Sequence, residues 1–379
     1  MTSNEIAVLA NPSAGRGRHR DLLPRVLTTL SEAGAVRVLE AHSGAEAESA
    51  CHAAVAGGAA AVVAVGGDGT VHRALQAVAA TSVPFGVVPA GTGNDFAAGV
   101  GVPPDVFDAA AAIASAIVAN RSIAVDLARM KFAEESRAAG RDSAGGGGAA
   151  AAGPGLAAGG GAAAAGPSLA AGGGAAAAGP GLAAEGGAAA AGPGLAAGGG
   201  AEAAGRGGSG AEVGTGAVRW FGAVLAGGFD ALVNERANRM RWPRGPRRYD
   251  LAILLELARL RPRVYELEID GADHGFTGML VAVGNCASYG GGMRILPGAD
   301  PYDGLLDVVV AVPFGRLALA RLKPRLNRGT HVTDPRVRTF RANRVKLRSE
   351  GIIGYADGER VGPLALDITC VPGAVRLLR

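Results

Sequence analysis

The sequence lacks the features that mark membrane-spanning, secreted and disulfide-stabilised proteins. Among its 379 residues, no apolar run approaches the roughly 20 residues that a helix needs to cross a bilayer. Its first residues, MTSNEIAVLA, have neither the basic start nor the long apolar core of a secretory signal. The three cysteines are widely spaced, so neither a disulfide framework nor a cysteine metal motif is predicted. These absences favour a cytoplasmic protein, with peripheral attachment to the inner face of the membrane as an alternative.

Lysine is also scarce, since only three of the 37 basic residues are lysine. The net charge of the chain is +4, to which residues 140–216 contribute two arginines and four acidic residues. The rest of the chain therefore carries a net charge of +6. This positive excess suits an anionic lipid, a nucleotide or a nucleic acid, and by itself does not distinguish them.

A low-complexity segment interrupts the chain. Residues 149–200 consist of four consecutive thirteen-residue units, the first of which is AAAAGPGLAAGGG. Each unit has one leucine and no aromatic residue, too little apolar surface to offset a backbone ordering cost of roughly 1–2 kcal/mol per residue. A solenoid of repeats is the alternative. The composition favours a disordered Gly/Ala/Pro insert that runs, with its flanks, over 140–216.

Residues 1–125 alternate short apolar segments with amphipathic ones. The predicted strands are 6–10, 36–40, 61–65 and 85–88, and the predicted helices are 17–33, 45–56, 70–79 and 104–118. This alternation predicts an α/β domain with a parallel, doubly wound sheet.

Residues 126–379 have a different pattern, in which strands predominate. Strands are predicted at 123–130 and 218–225, as a hairpin that the insert interrupts, and at 264–270, 278–284, 306–312, 337–340, 344–347 and 365–370. Helices are predicted at 231–241 and 249–260. The pattern predicts a second, mainly antiparallel β domain.

Three glycine-rich loops follow predicted strands of the first domain. Their sequences are NPSAGRG at 11–17, GGDGT at 66–70 and PAGTGND at 89–95. Glycine lets the backbone approach a phosphate, and an aspartate in such a loop suits a Mg²⁺ ion between the two negative charges. Neither a Walker A motif nor G-x-G-x-x-G is present, so the loops predict a Mg-nucleotide site of another type. Simple turns are the alternative for each loop taken alone.

The three loops, in this order and spacing, resemble the nucleotide-binding motifs of the diacylglycerol kinase catalytic-domain family. The second half continues the resemblance with AGGFDALVN, VGNCASYGGGMRILPGADPYDGLLDV and YADGE. The whole chain except the insert is similar to the bacterial lipid kinase branch. GGDGT alone also occurs in NAD kinases and phosphofructokinases, whereas its combination with the other motifs is highly specific.

The resemblance implies a set of site residues. The residues around ATP would be Asn11, Pro12, Ser13, Ala14, Gly15, Ser43, Gly66, Gly67, Asp68, Gly69, Thr70, Val71, His72, Arg73, Gly91, Thr92 and Asn94. Ser43 stands where the family often has threonine. Asp68, Asp95 and Asp357 would hold a catalytic Mg²⁺ through water, and Glu359 would be the catalytic base.

A second, structural Mg²⁺ is implied at Asp303, with backbone carbonyl groups near Asp300 and Leu305; a tight turn is the alternative there. For YADGE, we expect Asp357 and Glu359 to lie two apart on an extended segment, so that both side chains point the same way. Its alternative is a surface turn.

Six arginines lie within Arg236–Arg248, beside Met240 and Trp242. Such a cluster could dock on an anionic membrane leaflet, and a solvated helix face explains it equally well. Nucleic acid is not expected as a partner, because no aromatic-rich recognition motif accompanies the arginines. The sequence does not determine the oligomeric state, and a homodimer is one alternative.

The predicted function is phosphorylation of diacylglycerol by ATP, giving phosphatidic acid at the membrane surface. The same chemistry on a sphingoid base or phosphatidylglycerol is the nearest alternative. NAD kinase activity fits the second-half motifs less well. A non-catalytic lipid- or nucleotide-binding protein is a different alternative, which the intact acidic residues disfavour.

Overall fold

The computed structural model of the protein describes residues 4–10, 19–133, 217–240, 242, 243 and 246–379. Two predicted features lie outside these residues: the loop that contains Asn11, Pro12, Ser13, Ala14 and Gly15, and the insert at 140–216. Their predictions therefore stay predictions. None of the described helices is long and apolar enough to cross a membrane.

Four parallel strands form one side of the sheet, as the alternating pattern predicts. They are β1 (Glu5–Ala10), β2 (Ala35–Leu39), β3 (Ala61–Gly66) and β4 (Phe85–Pro89), in the spatial order β2-β1-β3-β4. The helices between and after them are α1 (His19–Ser31), α2 (Gly44–Ala56), α3 (Asp68–Val78), α4 (Asp95–Gly99) and α5 (Val106–Val118). Every residue of β3 is buried, which explains its uninterrupted apolar sequence.

The helices cover both faces of these strands. Alternate residues of β3 belong to two separate cores, one of which contains Val26 and Leu30 of α1 with Ile113 of α5. The other core contains Cys51 of α2 and Leu75 of α3. This arrangement confirms the predicted doubly wound α/β fold of the N-terminal part.

The rest of the chain is mainly antiparallel, also as predicted. Its strands are β5 (Ile123–Phe132), β6 (Val218–Phe221), β7 (Val224–Gly228), β8 (Arg263–Ile269), β9 (Ala272–Asp273), β10 (Phe276–Gly278), β11 (Leu280–Gly284), β12 (Leu306–Ala311), β13 (Val337–Ala342), β14 (Arg344–Ala356) and β15 (Glu359–Leu378). Its helices are α6 (Phe229–Arg239), α7 (Pro246–Ala258) and α8 (Arg316–Arg328). The longest path through the hydrogen-bonded strands runs β13-β12-β11-β7-β14-β15-β4-β3-β1-β2.

The strands on either side of the insert pair as the sequence predicts. β5 and β6 are antiparallel, with Ala128 opposite Phe221 and Lys131 opposite Val218. The prediction of one continuous strand over 218–225 is wrong, because the chain leaves β6 at Gly222 and continues as β7, which pairs with β11 and β14. The amides of Gly222 and Ala223 donate instead to the carboxylate of Asp357.

Strand β15 joins the two halves. It pairs with β14 and β5 along most of its length, and its last residues pair in parallel with β4, Leu377 opposite Phe85. The sequence predicted only the segment 365–370. Helix α8 was also not predicted, since Pro324 interrupts its pattern; Leu322 nevertheless packs into a core beside the sheet.

Candidate active site

The candidate site lies at the carboxyl ends of the parallel strands. The strand order reverses direction between β1 and β3, and such a reversal opens a crevice where α/β sheets bind ligands. Two of the three predicted loops are described there: GGDGT, which ends β3 and begins α3, and PAGTGND, which follows β4 and begins α4.

The two loops touch through glycine backbone. A Cβ atom on Gly91 would lie 2.3 Å from the Cα atom of Gly67, so a side chain at position 91 would drive the loops apart. Gly67 is the N-cap residue of α3 and has no side chain that could accept a hydrogen bond from the first amides of the helix. The amides at the start of α3 can therefore serve a bound anion, such as a phosphate group.

Asn94 shapes its own loop. Its backbone is left-handed, with φ of 55°, and its side chain closes a ring with Gly91 through hydrogen bonds of 2.9 and 3.0 Å. Thr92 is exposed on the same loop, whereas Thr70 is buried against Gly66. Asn94 thus fixes the loop, and Thr92 remains open to a ligand.

Three aspartates converge beside these loops. Burial raises the pKa of Asp68 to about 7, with further contributions from the carboxylates of Asp95 and Asp357. Burial also raises the pKa of Asp95, although the amides of Gly291 and Gly292 each donate to it at 2.9 Å. The predicted convergence of these residues is therefore present, and their negative charges act on one another.

Asp357 is held from the opposite side. Its carboxylate accepts hydrogen bonds from the amides of Gly222 (3.0 Å) and Ala223 (2.8 Å), and it lies 3.1 Å from Nδ1 of the buried His72. The sequence assigned His72 only to the neighbourhood of ATP. Its place one turn after Asp68 on α3 was the available signal, because residues four apart share a helix face.

The expected extended geometry of YADGE is wrong. Asp357 and Gly358 form the two-residue turn between β14 and β15, with φ angles of 51° and 82°, and Ala356 pairs with Glu359 across it. Two left-handed residues, Asp followed by Gly, are typical of a type I′ hairpin turn. The turn sends Asp357 into the interior and leaves Glu359 half-buried at the surface of the site.

Glu359 lies over the start of α3. Its Oε1 atom is 2.7 Å from the position that a Cβ atom on Gly69 would occupy, and its Oε2 atom lies 3.1 Å from a guanidinium nitrogen of Arg73. Ser43 stands on the loop after β2 at the same edge, where its hydroxyl caps α2 by accepting from Glu46 at 3.2 Å. The structure thus brings GGDGT, PAGTGND and YADGE together.

The implied second metal region forms hydrogen-bonded turns. Asp303 accepts from the amide of Leu305 at 3.0 Å and forms an ion pair with Arg341, while Asp300 accepts from the amide of Tyr302 at 3.1 Å. These contacts show the turn that was the alternative for this segment. The structural Mg²⁺ at Asp303, Asp300 and Leu305 stays a prediction.

The arginine cluster is only partly described. Arg236 is paired with Glu256, and Arg239 with Glu235 at 2.6 Å. The side chains of Arg241, Arg244 and Arg247 lie outside the described part of the chain. Trp242 is 76% exposed between them.

Comparisons with known proteins agree with this architecture. The model of the diacylglycerol kinase catalytic domain matches residues 5–130, and that of the YegS C-terminal NAD kinase beta sandwich-like domain matches residues 222–379. The chain resembles in fold a diacylglycerol kinase structure from Bacillus anthracis str. Sterne, with a TM-score of 0.58, 15% identity and coverage of 100% of this chain and 97% of that one.

Sequence similarity extends over nearly the whole chain. A diacylglycerol kinase of Mycobacterium tuberculosis (strain ATCC 25618 / H37Rv) is 34% identical over 379 residues, covering 99% of this chain and 95% of the relative. A protein of Stenotrophomonas maltophilia (strain K279a) named "Probable lipid kinase YegS-like" is 31% identical over 172 residues, covering 44% and 55%. This similarity over nearly the whole chain, together with the two matching domain models, shows that the chain belongs to the diacylglycerol kinase family of lipid kinases.

Proposed function

We propose that this protein transfers the γ-phosphoryl group of ATP to the hydroxyl group of diacylglycerol, giving phosphatidic acid. One observation carries the proposal: the carboxylate of Glu359 lies over the first turn of α3, where the Asp68 and Asp95 loops meet. A base, an anion-binding helix start and buried acidic groups are the parts that phosphoryl transfer to an alcohol requires.

The glycine loops would bind the phosphate groups of ATP. Both loops have glycine where they touch, at Gly67 and Gly91, so no side chain fills the space there, and the first amides of α3 would be available to the phosphate groups. These amides would stabilise the negative charge on the γ-phosphoryl oxygens during transfer, since fixed dipoles need no reorganisation at that moment.

The acidic residues suit Mg²⁺. Each oxygen of Asp95 and of Asp357 already accepts a backbone hydrogen bond at 2.8–3.0 Å, while Asp68 accepts a long bond of 3.4 Å from the amide of Phe96 and a further one from the backbone of Asp95. In the described ranges, no three His, Cys, Asp or Glu side chains form a metal cage. Mg²⁺ is commonly bound by one or two carboxylates, phosphate oxygens and water, so Asp68 is the candidate direct ligand and the other two would act through water. Bound there, the ion would neutralise charge on the phosphate oxygens.

Glu359 would act as the general base. As the hydroxyl oxygen of the lipid attacks the γ-phosphorus atom, the Glu359 carboxylate accepts the hydroxyl proton. The bond between the γ-phosphorus and the bridging oxygen breaks, ADP leaves with that oxygen, and the lipid keeps the phosphoryl group. Every other side chain in this account positions a group or stabilises charge.

A cavity in the second half supports a lipid as the acceptor. It has a volume of about 460 Å³ and lies between α6, the end of α7 and β8; its lining combines the apolar Phe229, Leu232 and Met279 with charged residues such as Glu256 and Arg263. The buried Tyr265 hydroxyl, at its wall, has no hydrogen-bond partner among the described residues. β7 runs from Val224, beside Asp357, to Gly228 at the cavity, a distance of about 13 Å at 3.3 Å per strand residue.

Exposed apolar side chains and arginines of the second half support docking on an anionic membrane. Trp242, Leu254 and Val264 are 76%, 61% and 69% exposed, and Arg259 and Arg261 line the cavity. Exposed apolar side chains among cations are what an anionic leaflet attracts. The paired Arg236 and Arg239 contribute less free charge than the sequence suggested.

The test is a lipid kinase assay with labelled ATP on purified protein. Diacylglycerol, a sphingoid base, phosphatidylglycerol and NAD are offered in parallel, and we expect phosphatidic acid as the main product. Glu359→Gln should lower kcat by about 10²–10⁴-fold, because the base is lost, and should retain MgATP binding by calorimetry. Turnover of another lipid alcohol in preference to diacylglycerol would refute the acceptor, and a Glu359→Gln enzyme with normal turnover would refute the base.

A further inference from the structure

Arg73 connects three separate elements at the candidate site. It is on α3, its guanidinium nitrogen lies 3.1 Å from Oε2 of Glu359, and its side chain is 31% exposed. A Cβ atom on Gly44 would lie 2.1, 2.4 and 2.5 Å from the Cζ, Nη1 and Nε atoms of Arg73. The guanidinium group therefore lies flat against the backbone at the start of α2, with its remaining nitrogen on Glu359.

We propose that Arg73 is a positioning residue for Glu359, and that Oε1 of Glu359 is the oxygen that accepts the proton of the lipid hydroxyl. The inference rests on the proposed function, because it takes Glu359 as the base. Arg73 holds Oε2 and thereby fixes the plane of the carboxylate. Oε1 accepts no hydrogen bond from the described part of the chain, and it faces Gly69 at the phosphate-binding end of α3.

The chain offers a reason why Glu359 needs such a partner. Glu359 is the first residue after a two-residue turn, and its long side chain is about one-third exposed, so its own packing does not fix its carboxylate. Arg73 is on α3, where the residues on either side of it in the sequence are buried and hold the helix in place. Its guanidinium group is confined by the backbone of Gly44. A base displaced by about 1 Å can lose about 100-fold in rate, so a rigid contact on one oxygen has a large effect on catalysis.

A contribution to folding stability does not explain the contact between Arg73 and Glu359. An ion pair with both side chains about one-third exposed contributes little to folding, because solvent screens it. The Arg219–Glu48 pair is similarly exposed, at 31% and 21%; it joins β6 to α2 and includes neither Glu359 nor a residue of the phosphate-binding loops. It provides a matched control for the loss of a half-exposed arginine.

Gly44 provides a way to displace Arg73 without changing any charge. Gly44 is the first residue of α2, and its φ angle is outside the left-handed region, so alanine suits its backbone. The added Cβ atom would occupy the space of the guanidinium group and force it away from Glu359. Gly44→Ala should therefore reproduce the loss caused by Arg73→Ala, although Arg73 is still present.

The experiment compares kcat and the KM for ATP in Arg73→Ala, Arg73→Lys, Gly44→Ala and the control Arg219→Ala. We expect kcat to fall about 10–100-fold in Arg73→Ala and Gly44→Ala, with KM for ATP changed less than about threefold and the thermal midpoint nearly constant. Arg73→Lys should be intermediate, Arg219→Ala should match the wild type, and millimolar methylguanidinium should restore part of the activity of Arg73→Ala. The double variant Gly44→Ala, Arg73→Ala should be no slower than Arg73→Ala.

Two further results separate this inference from the proposed function. Arg73→Ala should cost little in a Glu359→Gln background, since there is then no base to position. Equal losses in both backgrounds, or a raised KM for ATP with unchanged kcat, would overturn the positioning role and leave the base intact. Normal turnover in Glu359→Gln would overturn the base assignment itself, and a wild-type chain that phosphorylates no lipid alcohol would overturn both.

Discussion

Replacing Asp68 by asparagine should stabilise the metal-free protein at neutral pH. The pKa of Asp68 is raised from its ordinary value of 3.8 to about 7, first by burial and then by the carboxylates of Asp95 and Asp357. Between these two pH values the folded protein retains a proton that the unfolded chain has released. Stability therefore falls as the pH rises through this window, because the folded state binds more protons than the unfolded state.

The expected gain in the free energy of unfolding follows from the pKa shift of Asp68. Each pKa unit corresponds to 1.36 kcal/mol, so a shift of about three units sets an upper bound of about 4 kcal/mol, and partial exposure lowers the expected value to about 2–4 kcal/mol. Below pH 4, wild type and Asp68→Asn should have nearly equal free energies of unfolding. Above pH 7, the variant should be more stable by the full amount.

Urea unfolding, followed by circular dichroism from pH 4 to pH 8 with a chelator present, measures this difference directly. Asp230→Asn is a useful control, because burial raises the pKa of Asp230 to about 6 and its difference from wild type should level off about one pH unit earlier. Added Mg²⁺ should stabilise the wild type more than Asp68→Asn at pH 8. An Asp68→Asn protein with the same pH dependence as the wild type, or with lower stability at pH 8, would refute the reasoning.

Three further outcomes are expected. Trp242→Ala combined with Leu254→Ser should weaken sedimentation with anionic vesicles about tenfold, since part of the apolar burial is lost, and unchanged binding would exclude this surface from docking. Tyr265→Phe should leave the melting midpoint equal or higher and raise the KM for lipid; an unchanged KM would separate the hydroxyl from lipid binding. Replacing 144–210 by a short Gly-Ser turn should lower the closure cost by about 1–2 kcal/mol and preserve activity and melting, whereas loss of either would reveal a role for the insert.

The sequence by itself determined the α/β alternation, the antiparallel second half and the positions of two nucleotide loops. These features are local, because strand–helix periodicity and the glycines at the ends of β3 and β4 depend on neighbouring residues. The resemblance to the lipid kinase family likewise rests on short motifs. Asp68, Asp95 and Asp357 could be grouped from those motifs before any distance was known, and the structure brings them together.

The tertiary structure alone decided how these parts are held. His72 meets Asp357 across 285 residues of sequence, and Arg73 meets Glu359 across 286, distances over which no sequence periodicity carries information. The break after β6 and the hairpin turn at Asp357 depend on each other. At the break, the amides of Gly222 and Ala223 donate to the carboxylate of Asp357 in the turn. Such pairings arise when buried polar groups find partners in the packed core, which local sequence preference does not specify.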